Sequence, residues 1–355
     1  MSRIDLSTYG LSPSLGLEAT HYPELFVARI LSQSKGIYRV ISEQGEFFAE
    51  LSGRMRYETI ETANFPAVGD FVMLDRPSGD QGNGIIHHLL TRKSVFIRKA
   101  AGSSSQAQVI AANIDSVFIC MSVNNDFNLR RLERYLSLVW ESGATPVVVL
   151  TKIDLTEDLL AKCRAAAAIA IGVDILGIST LQNEGFWDLM AYLSVGQTVA
   201  LLGSSGVGKS TLINWLSGAQ LFDTQMIRSD DRGRHTTTRR ELIRLADGGM
   251  LIDTPGMREI GMLDVNTGFD RTFRDVEAHL ASCRFRNCTH TNEPGCGIAT
   301  AIKAGQLSAQ RWQAYQKLTG ENDYFENKAA FLKKKKEKFY QIARVNRNNK
   351  KQGYR

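Results

Sequence analysis

The stretch LLGSSGVGKSTL, from Leu201 to Leu212, constrains the fold of this chain more than any other feature. It matches the pattern G-x-x-x-x-G-K-[ST], in which glycines let the backbone curl so that its N–H groups face phosphates. We expect Lys209 to reach the β- and γ-phosphates of a nucleotide and Ser210 to bind Mg²⁺. An apolar strand pattern precedes this phosphate loop and a helical pattern follows it, as the motif requires. The nucleotide-binding residues expected here are Gly203, Ser204, Ser205, Gly206, Val207, Gly208, Lys209, Ser210 and Thr211.

A second phosphate contact is predicted downstream, in the segment GMLIDTPG. Asp253 ends an apolar strand pattern and can hold the Mg²⁺ shell through water, and the Gly256 N–H can meet the γ-phosphate. Between this turn and the phosphate loop lies RSDDRGRHTTTRRE, a polar segment typical of a mobile switch. One threonine of this segment should complete the Mg²⁺ site. Thr236, Thr237 and Thr238 all compete and spacing does not choose among them, so Thr237 is a working assignment.

The element that reads the base lies upstream of the phosphate loop, in LTKIDL. Thr151, Lys152 and Asp154 match the [NT]-K-x-D pattern that follows a strand in guanine-nucleotide proteins. The Asp154 carboxylate can accept two hydrogen bonds from guanine, whereas adenine would leave it unpaired. Ser179 and Thr180, in GIST, can support the guanine O6 edge. Alone, this short pattern could equally be a helix cap, but its combination with the phosphate loop favours guanine recognition.

The motifs therefore occur in a rotated order: base reader, phosphate loop, first switch, second switch. Strand and helix patterns alternate through this region, which predicts a parallel sheet covered by helices on both faces. A doubly wound sheet tolerates such a rotation because its chain ends can lie close together. One consequence is mechanical, because the second switch leads directly into the C-terminal region.

Three of the five cysteines cluster near the C-terminus, in CRFRNCTHTNEPGC. Cys283, Cys288, His290 and Cys296 offer three thiolates and one imidazole, the ligand set of a closed, structural Zn²⁺ site. The other two cysteines stand alone in apolar surroundings and are interpreted as buried thiols.

The remaining sequence predicts further domains. Five short strand patterns, rich in Val, Ile, Phe and Tyr, indicate a small N-terminal barrel of the OB type. From Lys328 to Arg355 there are eleven basic residues and one acid, a block that commonly binds polyanions, although a merely solubilising tail has the same composition. The predicted boundaries are a flexible segment at 1–20, the OB-like barrel at 21–98, a GTPase domain at 99–265, a zinc-binding helical domain at 266–325 and the tail at 326–355.

No signal peptide or membrane-spanning pattern is found in the sequence, so we expect a cytoplasmic protein without membrane contact. With 355 residues, the chain is long enough for two or three globular units.

These motifs together closely resemble the circularly permuted, small-subunit-dependent GTPases of the RsgA type. The resemblance covers nearly the whole chain, including RKAAGSSSQAQVIAANID, TKID, GSSGVGKS, GRHTTT, DTPG and the Cys-Cys-His-Cys set. It implies a permuted P-loop GTPase with an N-terminal OB-like barrel and a C-terminal zinc-binding domain. It also implies GTP hydrolysis stimulated by the small ribosomal subunit, contacts with rRNA and a role late in subunit maturation. We expect GTP or GDP with Mg²⁺, one Zn²⁺ and a monomer.

Catalysis is the part that the motifs define least. Many GTPases place a glutamine after the D-x-x-G glycine to orient the attacking water, but here that residue is Met257. His235 is the best substitute, and the resemblance implies the same role; contact with phosphate or rRNA is the alternative. A non-catalytic, nucleotide-gated RNA-binding module is the second interpretation. An ATP-dependent enzyme is the third, which TKID argues against.

Overall fold

The computed structural model describes residues 3–58, 64–99, 107–124, 126–219, 240–253, 266–291 and 293–326. The chain divides into two units, one made of Met1–Gly261 with Thr267–Thr272 and the other of Met262–Asn266 with Phe273–Arg355.

Five strands in the first unit close into a barrel, as the sequence predicts. They are β1 (Phe26–Ser34), β2 (Ile37–Ser42), β3 (Gly45–Leu51), β4 (Phe71–Leu74) and β5 (Gly84–Leu89). The barrel closes because β1 pairs with both β2 and β4, while β3 pairs in parallel with β5. Alternating side chains fill its interior: Phe47 on β3 is buried, whereas the next residue, Phe48, is exposed. This arrangement confirms the five-stranded, OB-like barrel.

The segment before the barrel is ordered, which corrects the expectation of a flexible segment at 1–20. It forms a 3₁₀ helix (Leu6–Tyr9) and helix α1 (Pro13–Ala19), each preceded by a capping side chain. Leu6, Tyr9 and Leu15 are buried. The Ser and Gly content suggested loose order, but these three apolar residues bury enough surface to hold the short helices in place.

Six further strands form the GTPase sheet of the same unit. They are β8 (Ser116–Ser122), β9 (Thr145–Thr151), β10 (Ile175–Ile178), β11 (Thr198–Leu202), β12 (Glu241–Arg244) and β13 (Met250–Asp253), and a separate antiparallel pair consists of β6 (Val95–Lys99) and β7 (Ala107–Ala112). The spatial order is β10-β9-β8-β11-β13-β12. All neighbours in it are parallel except β12, which is antiparallel to β13.

Helices cover both faces of this sheet, which confirms the predicted layered architecture. The helices of the first unit are α2 (Gly53–Glu58), α3 (Leu129–Ser142), α4 (Leu159–Ala167), α5 (Phe186–Met190), α6 (Lys209–Ser217) and, except for its first residue, α7 (Asn266–Thr272). On one face, Ile119 and Met121 of β8 share a core with α3 and α4. On the other, Phe118 and Cys120 of the same strand share a core with α5 and α6. Because strand residues alternate between faces, one apolar strand serves both cores.

The barrel and the GTPase sheet are continuous, because Ser32 of β1 pairs with Glu241 of β12. A fully buried arginine, Arg29 of β1, lies beside this junction and is 1% exposed. Its guanidinium donates to Tyr9 O, Gly69 O, Asn113 O, Thr198 Oγ1 and Met250 Sδ. Burial lowers the pKa of Arg29 to about 10, so it remains charged at neutral pH. The domain boundary at residue 98 stays a prediction.

In the described residues of the second unit, the regular secondary structure is helical, and turns and bends connect the helices. Its helices are α8 (Arg274–Leu280), α9 (Gly297–Lys303) and α10 (Ala309–Glu326). Arg311 of α10 forms a two-point ion pair with Asp275 of α8, at 3.1 and 2.9 Å, and its guanidinium lies over the ring of Phe273. Nowhere in the described parts of the chain is a helix both long enough and apolar enough to span a bilayer.

Candidate nucleotide and metal sites

The predicted nucleotide-binding motifs meet at one edge of the GTPase sheet. Asp154 follows the carboxyl end of β9, Ser179 follows β10, the phosphate loop follows β11, and Asp253 ends β13. These four strands, together with β8 between β9 and β11, run parallel to one another. Open α/β sheets bind ligands at the carboxyl ends of such strands, so the fold places the separated motifs at the expected edge.

Glycine is required at the start of the phosphate loop. Gly203 has a φ of +151°, and a Cβ atom there would lie 2.4 Å from the carbonyl oxygen of Cys120. Gly206 and Gly208 also have positive φ values, +80° and +103°, which glycine adopts without a steric penalty. Helix α6 then begins at Lys209 without a capping side chain. The N–H groups of its first turn thus face an edge where an anion can satisfy them.

The Lys209 side chain folds back onto this loop. Its Nζ donates to the carbonyl oxygen of Gly203 at 2.5 Å and also bonds the carbonyl oxygen of Ser204. Lys209 is only 6% exposed, and these carbonyl groups offset the cost of burying its charge. Ser210 and Thr211 stand beside it in the first turn of α6, and both are partly buried.

The Asp154 carboxylate is oriented by a buried hydroxyl. Ser179 Oγ donates to Asp154 Oδ1, and Ser179 is fully buried. The same hydroxyl accepts a hydrogen bond from the Gln182 N–H at 3.1 Å. Thr180 is the next residue after Ser179 and is partly buried. A carboxylate fixed in this way can accept further hydrogen bonds from a flat ligand with adjacent donors.

The segment predicted to read the base also supports the phosphate loop, a role that the sequence motifs do not reveal. Thr151 Oγ1 donates to the carbonyl oxygen of Val207 at 2.6 Å. Lys152 Nζ donates to the carbonyl oxygen of Gly206 at 2.8 Å. Lys152 adopts a left-handed backbone conformation, with a φ of +58°, at the point where the chain leaves β9. The two motifs therefore form one connected site.

A second support was also missed by the sequence analysis. Asp126, in the loop after β8, accepts a hydrogen bond from Ser204 Oγ at 2.7 Å. In the sequence, Asp126 is marked by its position after the apolar run of β8. The sheet then places β8 next to β11.

Several predicted site residues lie outside the described parts of the chain. They are His235, Thr236, Thr237, Thr238 and Gly256. Their assignments stay predictions, as do those of the nucleotide contacts named above.

The four predicted metal ligands meet in the second unit. One ligand atom from each of Cys283, Cys288, His290 and Cys296 lies within 4.8 Å of every other. Ligands of a tetrahedral zinc ion with bonds of about 2.3 Å lie about 3.8 Å apart, so a modest contraction would suit one ion. His290 Nδ1 already lies 3.5 Å from Cys283 Sγ and 3.6 Å from Cys296 Sγ. The cluster could hold a single metal ion.

Neighbouring groups favour thiolate at Cys283, whereas burial raises the pKa of the Cys288 thiol to about 11. Burial by itself would raise the pKa of the Cys283 thiol, but hydrogen bonds from the backbone N–H groups of Gly297 and Ile298, and from the other two cysteines, lower it overall. Thiolate is the form that binds metals. Cys296 Sγ accepts from the Ala299 N–H at 3.4 Å and thereby caps α9.

An aromatic ring supports the histidine ligand. The Trp312 ring of α10 meets His290 edge-on at 5.3 Å between centroids, and Tyr315 stacks on Trp312. Tyr315 in turn donates to the Glu277 carboxylate of α8 at 2.6 Å. The helices of the second unit thus restrict the orientation of the imidazole.

Comparison with known proteins gives a consistent result. The RsgA GTPase family model matches residues 89–263. A protein of Lactiplantibacillus plantarum named "Small ribosomal subunit biogenesis GTPase RsgA 2" is 46% identical over 324 residues, which cover 90% of each chain.

Two solved structures agree with the fold. That of YjeQ from Thermotoga maritima has a TM-score of 0.63 at 26% identity, covering 84% of this chain and 98% of its own. That of YloQ, described as a circularly permuted GTPase, has a TM-score of 0.61 at 26% identity, covering 87% and 97%. With its TKID motif placed before its phosphate-loop motif, this chain belongs to the RsgA GTPase family of circularly permuted GTP hydrolases.

Proposed function

We propose that this protein hydrolyses GTP at the edge of its parallel sheet as an assembly factor of the small ribosomal subunit. The observation that carries the proposal is the Asp154 carboxylate, held by Ser179 on the edge that also bears the phosphate loop. The partner is taken from the name of the Lactiplantibacillus relative, whose similarity extends over 90% of both chains. A non-catalytic RNA-binding module is less compatible with a GTPase family.

Asp154 would select guanine. Its carboxylate would accept hydrogen bonds from guanine N1–H and the N2 amino group, while the stem of Lys152 packs on the ring. ATP offers neither donor and would leave the carboxylate unpaired, which costs binding free energy. Ser179 and Thr180 would complete the pocket at the O6 edge.

The phosphate loop would bind the phosphates through its backbone N–H groups and Lys209. Mg²⁺ bound with GTP neutralises charge that develops on the phosphates. We assign Ser210 and Thr237 to that ion, with Thr236 and Thr238 as alternatives to Thr237, and Asp253 to its shell through water. Ser210 is the second residue of α6, directly after the loop, and Asp253 is the last residue of β13, the strand beside β11. Both carry side-chain oxygens of the kind that Mg²⁺ prefers. Gly256 would contact the γ-phosphate.

His235 would position the attacking water. Met257 cannot hydrogen-bond a water usefully, so turnover in the protein alone should be slow, and the small subunit would raise it.

The Cys₃His cluster would hold one structural Zn²⁺. Three thiols and an imidazole are the donors that zinc prefers, and four protein ligands close the site to substrate.

We propose that the barrel and the basic tail contact rRNA, and that the protein acts as a cytoplasmic monomer. OB barrels bind nucleic acids through one strand face and its loops. The eleven basic residues from Lys328 to Arg355 would neutralise phosphates and make binding dependent on salt.

Phosphate release with and without purified small subunits tests the proposal. Wild-type protein should hydrolyse GTP slowly alone and much faster with subunits, and His235→Ala should bind GDP normally but lose the stimulation. Equal turnover with and without subunits would contradict the proposal that the small subunit stimulates hydrolysis. Normal stimulation of His235→Ala would show that His235 does not position the water.

Co-sedimentation with small subunits tests the nucleotide dependence and the tail. A GTP analogue should retain the protein on the subunit and GDP should release it. Deleting 333–355 should lower affinity and flatten its dependence on salt, without changing intrinsic hydrolysis. Equal retention with both nucleotides would contradict the switch, and an unchanged salt dependence would leave the tail as a solubilising segment.

A further inference from the structure

The loop after β8 makes a side-chain contact with the phosphate loop that belongs to none of the family's sequence motifs named above. Asp126 Oδ2 accepts a hydrogen bond from Ser204 Oγ at 2.7 Å. Ser204 directly follows Gly203 and is therefore the first side chain of the phosphate loop. Its own carbonyl oxygen bonds Lys209 Nζ. Ser204 is thus held through its side chain by Asp126 and through its backbone by the lysine of the loop.

Asp126 is itself fixed by the start of helix α3. Arg131 Nη2 donates to Asp126 Oδ1 at 2.7 Å and to the Asp126 carbonyl oxygen at 2.5 Å. Asn128 Oδ1 caps α3 by accepting from the Arg131 N–H at 3.1 Å. The Asp126 N–H donates to Asn124 Oδ1 at 3.1 Å. Backbone and side chain of Asp126 are therefore both constrained.

The phosphate loop is supported at two separate points. Towards its C-terminal end, Val207 and Gly206 are held by Thr151 and Lys152 of the base-reading motif. Near its start, Ser204 is held by Asp126 from the neighbouring strand β8. Thr151 and Lys152 belong to the segment assigned to the base. Asp126 lies outside that segment and contacts the phosphate loop through Ser204.

We propose that Asp126 is a positioning residue for GTP hydrolysis, which fixes the start of the phosphate loop through Ser204. The inference rests on the proposed nucleotide site. Arg131 makes the arrangement possible, because its guanidinium pairs with a carboxylate that would otherwise repel bound phosphates. Small displacements of positioning groups lower turnover steeply, whereas ground-state binding also draws on the base contacts.

The test measures intrinsic kcat and KM for GTP and the Kd for GDP on the full-length protein. Asp126→Ala should lower kcat about tenfold while the Kd for GDP changes less than about threefold. Ser204→Ala should reproduce this loss, and the double variant should be no worse than either single one, because one hydrogen bond carries both effects. Asp158→Ala is the matched control: Asp158 caps α4 through the Ala161 N–H at 3.1 Å, and its loss should leave kcat unchanged.

Several results would overturn the inference. They are an unchanged kcat in Asp126→Ala, a parallel loss of GDP binding, or additive losses in the double variant. If Asp126→Ala fails to fold, the comparison rests on Ser204→Ala, which removes one partly buried hydroxyl and must lower kcat by the same factor. Failure of the proposed function looks different, because the wild-type protein would then neither bind GDP nor hydrolyse GTP.

Discussion

Two sites of the molecule are assembled in opposite ways. One is the nucleotide edge, the end of the GTPase sheet that bears Asp154, Ser179, the phosphate loop and Asp253. The other is the Cys₃His cluster of Cys283, Cys288, His290 and Cys296. The cluster takes its four ligands from one stretch of fourteen residues, Cys283–Cys296. The nucleotide edge takes its residues from the ends of the separate strands β8, β9, β10, β11 and β13. It connects them by hydrogen bonds such as Thr151–Val207 and Ser179–Asp154. The comparison teaches that one short stretch of chain can supply a complete ligand set, whereas the nucleotide site depends on strands that the fold brings together from separate parts of the chain.

Removing the metal should have the largest effect. We expect a strong chelator, or Cys288→Ser, to unfold the second unit, because structural zinc contributes on the order of 10 kcal/mol to small metal-folded domains. GDP binding should persist, since the nucleotide edge lies wholly within the first unit. Circular dichroism, elemental analysis and a GDP-binding assay on the same samples check this. Protein purified without chelator that contains no zinc would contradict the site.

Lys209→Ala should damage the nucleotide edge most. Charge-assisted hydrogen bonds are worth about 1.5–3 kcal/mol each, so we expect GTP affinity to fall about a hundredfold and hydrolysis to become undetectable. Calorimetry with GDP and a phosphate-release assay measure the two effects. Zinc content should stay at one ion per chain. A parallel loss of zinc would contradict the conclusion that the nucleotide site and the metal site are independent of each other.

Asp154→Asn should have a smaller effect that changes specificity. Loss of the two predicted guanine hydrogen bonds should weaken GDP binding by about 2 kcal/mol, and xanthine nucleotides, which carry an oxygen where guanine has the amino group, should then bind better than guanine nucleotides. Competition between GDP, XDP and ADP for a fluorescent nucleotide measures this. A wild-type protein that binds ATP and GTP alike would disprove the assignment.

Thr151→Val should have the smallest effect. It keeps the volume of the side chain and removes only the hydrogen bond to the Val207 carbonyl oxygen, which should cost about 1 kcal/mol, or roughly a fivefold loss of GDP affinity. Guanine specificity should not change. A shift in specificity as large as that of Asp154→Asn would mean that Thr151 contacts the base instead of supporting the loop.

The same contrast explains how much could be predicted from the sequence. The metal ligands and the phosphate loop could be predicted because each is encoded by a short, contiguous sequence motif. The barrel strands could be predicted because they are short runs rich in Val, Ile, Phe and Tyr. The support of the phosphate loop by Asp126 could not be predicted, because it depends on β8 and β11 being neighbours. Strand order in a sheet is a tertiary property. Buried Arg29 was missed for the same reason, as its hydrogen-bond acceptors come from five separate parts of the chain.

The prediction of a flexible N-terminal segment was wrong for a different reason. Leu6, Tyr9 and Leu15 are too few to give a helical periodicity, and the segment is ordered by packing and by its caps. Local propensity cannot report a contact of this kind.

The buried guanidinium of Arg29 has a consequence for biosynthesis. Two of its acceptors, Tyr9 O and Gly69 O, leave the translating ribosome early, but Thr198 and Met250 emerge much later. Until then, the barrel carries a charge without its full set of partners, and burying such a charge is unfavourable. We therefore expect the barrel to be translated first but to reach its final packing only after the GTPase strands have been made. A fragment ending at residue 98 should be less stable than its five closed strands suggest.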